Sequence, residues 1–275
     1  MADEKRRGKR VTTLSVLRTE WLTPHLVRVV AGGPGLADFV GTGHTDQYVK
    51  IIFPRPGVEY PEPFDMETIR AALPREEWPV LRAYTVRYHR DDELAIDFVY
   101  HGEEGLAGPW AAGLKPGDEM RFVGPGGGYS PSPDADWHLL VGDEAALPAI
   151  SAALEKIPAG RPAHVVIEVA DGTEELPLTS TGDATIRWVH RTDGVSLADT
   201  VRSLDLPTGS VQAFVHGEAG MVRDLRRYLR FDLGVPRELL SVSGYWRHGM
   251  DDEGWRASKG AEREIEKADE AAHRD

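Results

Sequence analysis

Arg82-Ala83-Tyr84-Thr85-Val86-Arg87 is the stretch around which the rest of the chain is organised. Tyr, Thr and Val favour a pleated, half-buried strand. Alternation then sets Arg82 and Tyr84 on one face, and Ala83, Thr85 and Arg87 on the other. Arg82 offers a planar fork of donors that matches phosphate oxygens. Tyr84 offers a flat ring with a polar tip, able to lie against another flat ring. Thr85 adds a hydroxyl and a backbone N–H suited to a heteroaromatic edge. A phosphate clamp beside a stacking surface is what a flavin nucleotide needs. The same six residues also describe an ordinary exposed arginine on a half-buried strand, so the flanking sequence must decide.

Around this stretch, short strands separated by Gly/Pro loops fill Val11 to Val123. They are Val11–Arg18, His25–Ala31, Gln47–Phe53, Arg82–Tyr88, Leu94–Tyr100 and Asp118–Val123. Six strands joined mainly by turns and loops predict a small antiparallel barrel. The insertion Pro54 to Val80 carries Pro54, Pro56, Pro61, Pro63, Pro74 and Pro79 and cannot be a strand. It is expected to cover one end of the barrel, with a helix at Met66–Leu73. Gly124-Pro125-Gly126-Gly127-Gly128-Tyr129 lacks phosphate-loop spacing and reads as a flexible exit from the barrel.

The pattern changes after Pro131-Ser132-Pro133-Asp134. Strands at His138–Val141, Ala163–Val169, Thr185–Val189, Val211–Val215 and Leu239–Ser243 now alternate with helical segments near Glu144–Ile157, Ser196–Ser203 and Ala219–Asp232. Such alternation predicts a parallel sheet with helices on both faces. The fold class is therefore a β plus α/β two-domain chain. An N-terminal six-stranded antiparallel β-barrel over 11–133 precedes a parallel, nucleotide-binding-like α/β domain over 134–260, with tails at 1–10 and 261–275. The second tail, rich in Glu, Lys and Ala, reads as a surface helix or a frayed end.

Composition narrows the partners. The chain of 275 residues carries a formal charge of −13, which argues against nucleic acid as a main partner. Lys5, Arg6, Arg7, Lys9 and Arg10 form a basic run that reads as a solvated tail rather than a secretory signal. No stretch approaches the apolar length of a membrane span. Cysteine is absent, which removes disulfides, iron–sulfur clusters and thiolate metal sites. The ten histidines stand singly, so no metal site is expected. A cytoplasmic monomer is the default expectation.

Three further segments carry chemistry. Asp97-Phe98-Val99-Tyr100-His101-Gly102 runs into Gly105-Leu106-Ala107-Gly108-Pro109-Trp110. A strand ending at His101, small residues and a helix starting near Leu106 suit a pyrophosphate, although a Gly-rich turn has the same composition. Gly142-Asp143-Glu144 occupies the first strand-to-helix crossing of the second domain. Two carboxylates there would repel a pyrophosphate, and helix capping is the favoured role. A weakly held nicotinamide donor along Gly142, Asp143 and Glu144, together with Gly217 and Glu218, stays open. Gly244-Tyr245-Trp246-Arg247-His248-Gly249 follows the last strand, where Tyr245 and Trp246 could close over a ring system and Arg247 attract an anion.

Together these motifs resemble the siderophore-interacting proteins, flavin-dependent ferric-siderophore reductases of the wider ferredoxin-reductase-like group. The resemblance covers roughly Val11 to Lys259. It implies an oxidoreductase that holds FAD in the barrel, takes electrons from NADH or NADPH and reduces Fe(III) held by an imported siderophore. Arg82, Ala83, Tyr84 and Thr85 would line the flavin and its first phosphate. Asp97, Val99, His101, Gly102, Leu106, Ala107, Gly108 and Trp110 would carry the pyrophosphate and adenine half, with Tyr245 and Trp246 closing over the ring. Leu106 and Gly108 stand where relatives often show Pro and Ser, so a serine contact to phosphate is missing. Lys50, Arg247 and Lys259 match basic positions that receive an anionic iron chelate. No protein side chain is assigned a catalytic role, because the flavin carries the chemistry. A general flavin reductase, the reductase component of an oxygenase, or a non-catalytic flavin- or siderophore-binding module are the alternatives.

Overall fold

A computed structural model describes residues 10–273; Lys5, Arg6, Arg7 and Lys9 of the basic run lie outside them. The described chain divides into two compact units, with the break between Ser130 and Pro131. The Pro/Ser linker goes with the second unit, where the Gln212 side chain accepts from the Ser132 N–H at 2.7 Å.

The first unit is a closed six-stranded barrel built from β1 (Val11–Thr23), β2 (Leu26–Gly32), β3 (Tyr48–Phe53), β4 (Val80–His89), β5 (Glu93–Val99) and β6 (Glu119–Gly126), in the order β1-β2-β5-β4-β3-β6. Alternation drives closure. Leu14 and Val16 of β1, Val27 and Val29 of β2, and Val49 and Ile51 of β3 all turn into one core with Ile96, Phe98 and Phe122. β1 runs on past its expected end because it pairs with β6 over Val11–Ser15 and continues along β2 to Thr23, bulged between Val16 and Arg18. A short helix, α2 (Ala107–Gly113), packs Ala107, Ala111 and Trp110 onto this core.

Two expectations for this unit need correction. The Pro-rich insertion covers a wall of the barrel, not an end. Its helix α1 (Met66–Ala72), capped by Asp65, sets Met66 and Ile69 over the outward-facing Ile52, Leu81 and Val123. The glycine run after β6 is not a flexible exit. β6 itself extends through Gly126, and Asp46 then accepts the N–H groups of Gly128 and Tyr129, both at 2.8 Å.

The second unit is a five-stranded parallel sheet of β7 (Trp137–Asp143), β8 (Pro162–Val169), β9 (Asp183–His190), β10 (Val211–Glu218) and β11 (Leu240–Trp246), in the order β11-β10-β7-β8-β9. β7 is buried along its whole length, as a central strand covered on both faces must be. One face packs Leu139 and Val141 against α4 (Leu197–Arg202) and α5 (Ala219–Arg227). α3 (Leu147–Leu154) covers the other face, so closely that a Cβ on Gly142 would stand 3.1 Å from Ile150. α3 is shorter at both ends than the periodicity predicts.

The expected tail from Ala261 belongs to a 21-residue helix, α6 (Asp252–Ala272), whose first turn is capped by Asp251. Its acids face a bank of arginines. Asp269 pairs with Arg226 at 2.7 Å and with Arg227, Glu262 with Arg247 at 2.5 Å, and Glu270 with Arg237 at 3.6 Å. No helix among the described residues is long and apolar enough to cross a membrane.

Candidate flavin site and the sheet switch point

In the barrel the decisive feature is an incomplete seam. β4 pairs with β3 along Val80–Thr85, but its ladder with β5 runs only through Val86, Tyr88 and His89. The Leu81–Thr85 edge of β4 and the Phe98–Val99 end of β5 thus flank a gap, and the two sequence motifs meet there, Tyr84 against Phe98. Tyr84 lies over Phe98 with ring centroids 4.4 Å apart, its own ring half-buried. Arg82 is half-buried, with one guanidinium N–H donating to the Leu81 carbonyl at 3.2 Å, and Thr85 is buried. Past the end of β5, Gly102 and Gly105 adopt φ of +73° and +82°, and nothing stands within 4 Å of where their Cβ atoms would be. A non-glycine residue would be strained at either position, and the bare backbone leaves room for a bulky anion. A stacking ring, a fork of donors and an open glycine loop fit the flavin and pyrophosphate of FAD.

Some residues expected to touch the cofactor have other employment. β5 ends at Val99 rather than His101, and His101 and Leu106 are exposed beside the open loop. Asp97 is buried and held by the Arg28 guanidinium through bonds of 2.6 and 2.8 Å, which satisfies its charge internally. Ala107 is core, and Trp110 packs edge-on against Phe53 and Phe98. At Gly108 a Cβ would come 2.9 Å from the Val99 carbonyl, so the missing serine is explained by close packing of helix on strand.

Lys50 is exposed between buried Val49 and Ile51, as alternation requires. It stands opposite Ala83, so the two share the outer wall, whereas Arg82 and Tyr84 share the face of Ile51 and Val49. No carboxylate of the described residues pairs with Lys50.

The second unit reverses this picture. In an open α/β sheet, ligands enter where strand order reverses, here between the carboxyl ends of β7 and β10. A protein carboxylate fills that place. Asp143 accepts the Ala145 N–H at 3.0 Å, the Glu218 N–H at 2.8 Å and the Trp246 indole N–H at 2.8 Å. Burial pushes its carboxyl up to about 6, against the pull of the indole and backbone donors. Gly217, at φ +134°, would bring a Cβ within 2.5 Å of this carboxylate, and Gly142 one within 2.7 Å of the His216 carbonyl. Glu218 caps α5 through the Met221 N–H at 2.8 Å. Glu144, expected to cap α3, instead pairs with Arg191, which also reaches Glu168 at 3.2 Å. All five residues considered for the nicotinamide donor are therefore occupied within the fold.

Tyr245 and Trp246, expected to follow the last strand, lie within β11, which runs on to Trp246, and this aromatic pair is tied inward too. The Tyr245 hydroxyl meets His216 Nδ1 at 2.9 Å, and Ser241 Oγ meets its Nε2 at 2.9 Å. Burial pulls this imidazole down to about 3. The charge of Arg247 is taken by Glu262, and the Lys259 ammonium lies 5.5 Å from the centroid of the Trp255 ring. Neither offers the unpaired charge expected of a chelate contact. Arg226 of α5 is likewise buried, against Asp269.

Comparison with known proteins agrees with the two-unit division. The siderophore-interacting FAD-binding domain matches residues 15–129, and the siderophore-interacting protein domain matches residues 135–249. Over 286 aligned residues the chain is 40% identical to an uncharacterized protein of Mycobacterium tuberculosis, with 97% of this chain and 99% of that protein covered. It is 33% identical to the ferric vibriobactin reductase ViuB of Vibrio cholerae, over 88% of this chain and 91% of ViuB. The crystal structure of the siderophore-interacting protein SipS from Aeromonas hydrophila superposes with a TM-score of 0.79 at 32% identity, covering 94% of this chain and 99% of SipS. The chain belongs to the siderophore-interacting protein family, with a FAD-binding barrel followed by a ferredoxin-reductase-like α/β unit.

Proposed function

We propose that this protein is an oxidoreductase that uses FAD to reduce Fe(III) held by a siderophore, with NADH or NADPH as the source of electrons. The observation that carries the reading is the gap between β4 and β5, edged by Arg82 and Tyr84 on one strand and followed on the other by an open glycine loop. The similarity to ViuB supports the choice of acceptor.

Bound FAD would supply the redox chemistry that no side chain here provides. The chain's own residues do the positioning. Arg82 binds phosphate through its planar fork, and Tyr84, backed by Phe98, holds the flavin plane. Lys50, exposed on the adjacent wall, draws an anionic chelate toward a protein whose net charge is −13. Iron that has gained an electron is less charged and less well matched to hard oxygen donors, so the chelate releases it more readily. With Asp143 filling the switch point, the pyrophosphate of the donor makes its contacts elsewhere than at Gly142–Glu144.

The test is an absorption spectrum of the purified or FAD-reconstituted protein, followed by anaerobic photoreduction and addition of a ferric siderophore. Flavin bands that bleach and then return, with Fe(II) caught by a ferrous chelator, are expected. Failure to take up FAD, or a reduced protein that the chelate leaves unchanged, would overturn the proposal.

A further inference from the structure

The barrel of the first unit is closed and so leaves no free sheet edge. The sheet of the second unit is open, and β9 stands at one end of its strand order. β9 pairs with β8 alone, through eight consecutive residues from Asp183 to His190 with no register shift. Among the described residues, no loop or helix bonds to the backbone of residues 185–189. A strand edge of this kind is normally blunted by proline, lysine, a bulge or a covering segment. β9 has no proline, lysine or bulge, and Thr185, Ile186, Trp188 and Val189 all favour pairing.

The edge does carry two charges. Asp183, Thr185 and Arg187 alternate along one face of the strand, and all three are exposed. Neither Asp183 nor Arg187 forms an ion pair with any described residue. Their spacing is symmetric about Thr185. In a two-fold contact, if residue i faces residue j, then j faces i. An antiparallel pairing of two such edges centred on Thr185 sets Asp183 of each copy opposite Arg187 of the other. The two threonines then face each other. On the other face of the strand, Ala184 of each copy meets Ile186 of the other, a small side chain against a large one. Opposite charges and Thr–Thr pairs directly across an antiparallel ladder are both favourable. Centred on Asp183 or on Arg187, the same edge would set like charges against each other. The charges thus select one register.

We propose that β9 is a self-complementary docking edge, through which two copies of this chain pair antiparallel about Thr185. The two five-stranded sheets then continue across the contact as one. A second copy is the fitting occupant because the edge complements itself, residue for residue. Such a dimer takes the place of the monomer expected from the sequence, and it does not depend on the flavin reading.

The test is sedimentation of the full chain over a wide range of concentration. The wild type should show a monomer–dimer equilibrium that added salt weakens. Asp183→Arg sets cation against cation, and Arg187→Asp sets anion against anion. Each should weaken the dimer about thirtyfold, since two attractive pairs become two repulsive ones. Mixing the two variants should restore a dimer of one chain of each kind, because every opposed pair then joins unlike charges. That recovery also shows both variants to be folded. The double variant, Asp183→Arg with Arg187→Asp, should dimerise like the wild type. A wild type that stays monomeric throughout would leave the edge to another partner and overturn the self-pairing. A dimer indifferent to both single changes, or variants that fail to rescue each other, would overturn it equally.

Discussion

The β4–β5 gap of the barrel and the β7–β10 switch point of the sheet are both places where a ligand could enter, and they are built in opposite ways. At the gap, strand pairing is given up and glycines stand over open space. At the switch point, a buried carboxylate already holds two backbone N–H groups and an indole, the kinds of donor a pyrophosphate would use. The topology that usually marks a binding crevice is present at the second place, but the crevice is filled by the fold. Topology locates where a site can form; the residues that remain unsatisfied there decide whether one does.

The comparison can be broken most directly at Gly217. Gly217→Ala demands a side chain at φ +134° and drives its Cβ into the Asp143 carboxylate. It should lower stability by about 3 kcal/mol in denaturant unfolding while the barrel still takes up FAD. Loss of flavin with unchanged stability would mean that the switch point is the working site. Arg82→Ala should do the reverse, weakening FAD roughly thirtyfold, the loss of a hydrogen-bonded charge, with an unchanged unfolding midpoint. Unweakened FAD binding would return Arg82 to an ordinary strand residue.

The sealed network should also be visible in acid. Burial holds the imidazole of His216 near 3 instead of near 6.5, so the unfolded chain takes up a proton that the folded one refuses. Its contribution to stability is present above about pH 6.5 and is lost as pH falls toward 3, at up to about 1.4 kcal/mol per pH unit. Asp143, pushed up to about 6, has the opposite sign: its contribution is full below its ordinary value of 3.8 and is lost as pH rises through 6. Between pH 4 and 6 the two slopes oppose each other. His216→Gln should unmask the Asp143 slope, so that unfolding between pH 7 and 4.5 shows about 2 kcal/mol less acid loss than wild type. Parallel profiles for the two proteins would mean that the imidazole is not sealed.

The smallest effect belongs to the chelate. Lys50→Glu should raise KM for an anionic iron chelate about fivefold at low salt and much less at high salt, with bound flavin unchanged. Arg247→Ala, whose charge Glu262 already holds, should leave that KM alone. A KM shift in the second variant would place Arg247 at the substrate after all.

Much of the fold was legible because alternation and helical spacing are local. Leu14 and Val16, or Val49 and Ile51 around Lys50, announce which side of a strand is buried without reference to any partner. The shared strand face of Arg82 and Tyr84 was legible for the same reason. What the sequence could not show was employment by distant partners. Asp97 is claimed by Arg28 across the sheet, Arg247 by Glu262 on a later helix, and Asp143 by a backbone N–H 75 residues away. A charged residue in a motif looks available until its counterion is placed.

The C-terminal helix has a consequence beyond covering the body of its unit. Its carboxylates at 262, 266, 269 and 270 recur at three- and four-residue steps and form one stripe, and every cation they meet belongs to the other side. A seam with one sign on each bank cannot slide by a turn, about 5.4 Å, without parting several pairs at once. It works as a vernier, setting the helix in one register along α5. Added salt should loosen its exposed outer pairs first and the buried Arg226 pair last.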